Sequence, residues 1–148
     1  MFIIRIIKIV LGSLALMALW VGQARATGPS VVINEIMWMG SAASNADEWV
    51  ELRNLGDQSV DVSGWVLTKK SSGVETPMLT IPAGKIIASH GNFVIANYAE
   101  SNASSHLAGP PDVVDTAVSL VNSDLQLKLY DAANTLVDTA DDGVGVPL

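Results

Sequence analysis

Residues 47–67 read DEWVELRNLGDQSVDVSGWVL, and this stretch decides the fold class. Glu48–Asn54 alternates. Val50 and Leu52 point one way, while Trp49, Glu51 and Arg53 point the other, the two-residue period of a half-buried strand. Leu55–Ser59 is a polar break containing Gly56 and Asp57. Val60–Leu67 resumes an extended pattern with Trp65 and Leu67 on one face, Trp65 being the tryptophan expected in the core. Gly64 leaves room there for a bulge or a close backbone approach. The whole reads as a hairpin-like unit of a β-sandwich. It speaks to architecture and names no reaction.

Upstream, Val31–Met37 (VVINEIM) is the first candidate strand of the mature chain, and its parity conflicts with a simple buried face. Placing Val31, Ile33 and Met37 inward also places Glu35 inward, while placing Val32 and Ile36 inward brings Asn34 with them. Such a strand has a buried, partnered polar group, lies at an edge, or is bulged. Met39–Ala46 is a loop of small residues. Downstream, Lys69–Pro77 reads as a polar loop, Met78–Ile81 as a short strand, and Pro82-Ala83-Gly84 as a turn. Lys85–Ser89 and Asn92–Ala96 are extended runs split by His90-Gly91, with Phe93 and Ile95 sharing a face. Asn97–Ala117 has no period and is long for a connection in a compact domain, which suggests a surface crossover, a short helix or a binding loop. Val118–Val121 is a short strand candidate. Leu125–Tyr130 alternates most cleanly, turns at Asp131–Asn134, and returns along Thr135–Thr139. Asp141–Leu148 is a tail containing Gly and Pro. Seven to nine short strands without an amphipathic helix predict an all-β, immunoglobulin-like antiparallel β-sandwich.

Met1–Ala26 has the form of a secretory signal peptide. Arg5 and Lys8 precede an uncharged apolar run of 13 residues, Ile9–Val21, and Ala24-Arg25-Ala26 fits a small-x-small cleavage site. The run is shorter than the ~20 residues of a spanning helix. Retention as an N-terminal anchor is the alternative. The expected organisation is therefore a leader over residues 1–26 and one domain over residues 27–148, with its core at about 31–138. The expected location is outside the cell, in the periplasm or at the cell surface, with no membrane association after cleavage.

Charge excludes several function classes. The full chain carries −7, with 8 Lys+Arg against 15 Asp+Glu. Removing Arg5, Lys8 and Arg25 leaves 5 − 15 = −10 on the mature chain. That balance argues against a partner bound through nucleic-acid phosphates, which needs clustered Lys and Arg. There is no cysteine, hence no disulfide, thiolate nucleophile or Cys-ligated zinc, and stability must come from packing.

The residues together resemble the lamin-tail domain in its secreted bacterial form. The matching runs are Ile33-Asn34-Glu35-Ile36, Asp47–Asn54, Val62–Leu67, Leu79–Gly84 and Leu125–Asp138, so the likeness covers Val31 to Asp138. Each motif alone is weak, and their order and spacing carry the resemblance. It implies an immunoglobulin-like sandwich acting as a binding or scaffolding module. Similar bacterial domains are found on exported proteins, often beside hydrolase or nuclease domains. Many continue past the last strand into an aromatic closing segment. This chain stops at Pro147-Leu148, as a fragment or a minimal form would.

The candidate sites follow from the same stretches. Trp49, Glu51 and Trp38 are candidate binding residues, because an exposed Trp beside acids marks a protein or sugar contact, while burial in the packing is the other reading of both tryptophans, since Trp is highly buried on average. Glu35, Asp47 and Glu48 are candidate ligands for Ca²⁺, which prefers several oxygens. Solvated strand ends, or carboxylates holding a backbone amide, are the plainer account of the same residues. No other cofactor is suggested. Asp138–Gly143 superficially suggests a calcium loop but fails on spacing, since its third position is Ala140, and it reads as an exposed acidic turn. His90 and His106 lie beside loops without a nucleophile-elbow motif, and as solvent-facing residues they need no catalytic role. Asn102-Ala103-Ser104 is an N-glycosylation triplet. The leading expectation is a secreted non-enzymatic module that binds an unknown protein or cell-envelope component, or another copy of itself. A Ca²⁺-dependent adhesion or stability module is the second reading, and a hydrolase using the carboxylates or histidines is the third.

Overall fold

The structure, a computed structural model, describes residues 30–147. The expected leader lies outside the described residues. Ten strands follow one another, and no helix occurs among the described residues. They are β1 (Val31–Met37), β2 (Trp49–Asn54), β3 (Val60–Asp61), β4 (Val66–Ser71), β5 (Val74–Thr80), β6 (Ile86–Ile87), β7 (Asn92–Ala96), β8 (Val113–Val114), β9 (Gln126–Tyr130) and β10 (Leu136–Ala140). One sheet has the order β1-β2-β7-β8 and the other β10-β9-β4-β5, with β3-β6 as a small third pair. All pairings are antiparallel except the two-residue β7–β8 contact.

The core is the interleaved inner faces of the two sheets. Val31, Val50, Leu52 and Ile95 from the first sheet are fully buried, as are Leu67, Leu127 and Leu129 from the second. Phe93 and Ile81 fill the space between. Burying one such aliphatic side chain contributes about 1.5–3 kcal/mol. The alternating leucines thus supply much of what a cysteine-free domain relies on.

A bulge resolves the parity conflict in the first strand. The β1–β2 register shifts between Ile33 and Glu35. Ile33 stands opposite buried Leu52, and after the shift Ile36 stands opposite buried Val50. Asn34 absorbs the extra residue, so Glu35 and Met37 turn outward without burying a charge. β1 is also an edge strand, and its Ile33 amide donates to Asp138 Oδ2 of β10 at 2.8 Å. That contact joins the margins of the two sheets. Asp138 is therefore half-buried and occupied, whereas the sequence reading placed it in an exposed acidic turn.

Three expectations need correction. Residues 47–67 are not a hairpin, because β2 pairs with β1 and β7 while β4 pairs with β5 and β9. The segment instead crosses from one sheet to the other. Asn54 fixes the departure, and Gly64 (φ +75°) makes the turn into β4. Lys69–Pro77 is not a loop but part of the β4–β5 hairpin. Ser72 (φ 51°) and Gly73 (φ 80°) form its two-residue turn, the left-handed geometry that suits twisted hairpins. Polar residues misled there because that face of the sheet is outside, where Glu75 accepts from Thr68, Lys128 and Tyr130. Val118–Val121 is not a strand. Val118 and Leu120 are buried from an irregular segment.

Candidate functional site

Asp47 and Glu48 head β2, and strand alternation sends their side chains to opposite sides of the sheet. Asp47 lies outside with Trp49 and Glu51, and Glu48 lies inside with Val50 and Leu52. Both are buried, at 4% and 6% exposure. Each takes a backbone amide from the long connection between β7 and β9. Asp47 Oδ2 accepts from His106 N at 2.8 Å, and Glu48 Oε2 from Leu120 N at 2.9 Å. Asn97 adds a third tie, its Nδ2 donating to Val118 O at 2.7 Å while its amide donates to Glu48 O at 3.0 Å. Burial pushes the Glu48 carboxyl above its ordinary value, and the Leu120 amide and the Lys69 charge partly offset this. Lys69 points inward from β4, opposite Leu127, and its ammonium donates to Ser119 O. These groups act as pins on a connection that has almost no regular structure of its own.

The three proposed metal ligands are consequently not brought together. Glu35 is exposed on the outer face, Asp47 is bound to the loop, and Glu48 is on the opposite side of the sheet. Among the described residues no group of three His, Cys, Asp or Glu side chains could hold a metal ion.

The pinned connection encloses a groove on the outer face of the first sheet. Its volume is about 430 Å³. The floor is Trp49, flanked in register by Met37 of β1 and Ala96 of β7. Trp49 is half-buried, and Ala96 beside it is 1% exposed although it faces outward. The next row holds Glu51 between Glu35 and Val94. Leu107, Ala108, Gly109 and Pro110 form a wall, and His106 stands at the rim. Glu51 Oε1 accepts from the amide of Asn34, the bulged residue, at 2.7 Å. Two of the three proposed binding residues, Trp49 and Glu51, therefore share one concavity. Trp38 does not, because it packs against the hydrophobic core.

Sequence reasoning missed Met37, Val94 and the 107–110 wall. The aperiodic composition of residues 97–117 marked a loop, but its landing place depends on the Asp47 and Glu48 pins. Those two carboxylates read only as acidic residues in the sequence. Asn54 was also missed. It is fully buried, and its side chain donates to Gln58 O, Ala88 O and Ile87 O while accepting from Gly56 N.

The histidines do not assemble a catalytic arrangement. His90 Nε2 lies 2.9 Å from Asp57 Oδ1, and both side chains are exposed. His106 is exposed and bonded through its backbone to Asp47. Among the described residues, no serine hydroxyl is hydrogen-bonded to either imidazole.

A family model described as Lamin Tail Domain matches residues 24–143, which is 143 − 24 + 1 = 120 of the 148 residues. No curated protein matches the chain significantly.

Proposed function

Because the chain belongs to the lamin-tail domain family, an immunoglobulin-like fold, we propose that it is an exported, non-enzymatic module that binds a partner through the outer-face groove. The observation that carries this reading is the half-buried Trp49 on the floor of a concavity walled by a pinned loop. A partly exposed indole on a rigid strand offers large contact area at small entropic cost, the usual character of a binding anchor. The loop is held from both ends, at His106 by Asp47 and at Leu120 by Glu48, so the groove is formed before a partner arrives.

The carboxylates near the groove are poor candidates for chemistry. One oxygen of Asp47 receives a backbone amide, and one oxygen of Glu51 receives the Asn34 amide. The leader pattern of residues 1–26 supports export, and with it a partner that is another exported protein or a cell-envelope component.

The test is a pull-down from exported-fraction proteins with purified Thr27–Leu148 and with Trp49→Ala, each first checked for folding by circular dichroism. A partner retained by the native chain and lost by the folded variant supports the reading. A partner that binds both equally moves the contact elsewhere, and the groove reading is then abandoned.

A further inference from the structure

We propose that the groove takes a basic side chain, the guanidinium of Arg or the ammonium of Lys, from a segment of a partner protein. This rests on the reading of the groove as a contact site and adds the chemical class of what enters it.

The argument begins with the β1–β2 register. Glu35 and Glu51 stand directly opposite one another, and both face outward from the sheet. Like charges in directly opposed positions repel, a small but real cost to the sheet. No cation among the described residues pairs with either glutamate. The two ion pairs there are His90–Asp57 and Lys128–Glu75. Arg53, two residues further along the same strand face, pairs with neither glutamate. The Asn34 amide occupies one oxygen of Glu51, and the other has no partner among the described residues.

Two residues along β2 from this pair of charges, on the same face, lies Trp49. A cation entering between Leu107–Pro110 and Met37 reaches the Trp49 indole and the Glu51 carboxylate, which both line the groove. These are the two groups that favour a desolvated cation. The apolar lining of Met37, Val94 and Leu107 suits the aliphatic stem of Lys or Arg, which covers apolar surface while its head stays polar. The net charge of −10 on the mature chain steers such a partner toward the surface. A neutral sugar would use the indole but leave the glutamate repulsion in place, so the charge pattern favours the basic segment.

The test selects phage-displayed random dodecapeptides on the folded protein. Enriched peptides are then measured against the native chain, Trp49→Ala, Glu51→Gln and Glu35→Gln. Expected are peptides carrying Arg or Lys, with affinity falling about tenfold in Trp49→Ala and in Glu51→Gln. Affinity should also weaken as salt rises from about 50 mM to about 500 mM. Glu35→Gln should weaken binding less and slightly raise the melting temperature of the free protein, because it removes the opposed charge. Peptides that need Trp49 but carry no basic residue, or are indifferent to Glu51→Gln, overturn the cation and leave the groove as a contact site. If no peptide depends on Trp49, both readings fall.

Discussion

Replacing Asn54 with alanine removes a buried side chain that ties two turns together. Its Nδ2 donates to Gln58 O at 2.7 Å, to Ala88 O at 3.0 Å and, more weakly, to Ile87 O at 3.4 Å. Its Oδ1 accepts from Gly56 N at 2.9 Å. Three good hydrogen bonds are each worth about 1 kcal/mol net. Gln58 and Ala88 lie near solvent, so their carbonyls find water again, whereas Ile87 is buried and its carbonyl does not. The expected loss is therefore about 3–4 kcal/mol, which in a domain of this size lowers the melting temperature by roughly 10–15 °C. Asn54→Asp sharpens the test. It keeps the acceptor for Gly56 N but turns a second oxygen toward three carbonyls. The buried carboxyl would titrate above its unfolded value of about 3.9. The folded chain then holds a proton that the unfolded chain has released, so stability falls as pH rises through that window. At neutral pH Asn54→Asp should be worse than Asn54→Ala, and below about pH 4 the difference should shrink. Thermal and urea unfolding followed by circular dichroism would measure both. An alanine variant within about 1 kcal/mol of the native chain would refute the reasoning, as would an aspartate variant with no pH dependence relative to alanine.

Three further outcomes are expected. Burial holds the Glu48 carboxyl above its ordinary 4.5, so the folded chain keeps its proton longer and stability declines as pH rises from 4.5 through the raised value. Glu48→Gln still accepts from the Leu120 amide and should flatten that slope, as read by urea unfolding at stepped pH, while Glu48→Ala should destabilise throughout. At Gly40 (φ +68°) an added Cβ would lie 2.5 Å from the carbonyl oxygens of Ser44 and Asn45, so Gly40→Ala should cost about 2–4 kcal/mol in thermal unfolding. Asp138→Ala should cost about 1–2 kcal/mol and selectively speed amide hydrogen exchange at Ile33, whereas Asp138→Asn keeps an acceptor and should retain most of the protection.

Strand positions were legible where side-chain alternation reports burial directly. β1 and β7 match their expected spans, and the leucines of 125–129 are inward as their period demands. The awkward parity of VVINEIM pointed to an edge or a bulge, and the strand has both. Partner choice was not legible. A polar break looks the same whether the chain reverses within a sheet or crosses to the other one, and only the Asn54 network distinguishes them. A bulge hid one further feature. At Met78 the shift between Leu67 and Thr68 buries two consecutive residues, so Lys69–Pro77 lost its strand signal beside Pro77. Of the candidate site, the indole and one carboxylate could be named from exposed parity. The wall could not, because its position is set by hydrogen bonds from Asp47 and Glu48 to residues 59 and 72 positions away.

The contact between Ile33 and Asp138 spans 105 residues of chain. It carries a consequence in time. During synthesis the first strand emerges early, yet its free edge has no acceptor until the last strand has appeared. β1 can pair with β2 soon after both are made, but the sandwich closes along this margin only when nearly the whole domain is available. Topologies dominated by such distant pairings fold on the scale of milliseconds to seconds, slower than chains of local contacts. The exposed margin is thus a property of the nascent chain, left uncovered until the last strand has been made.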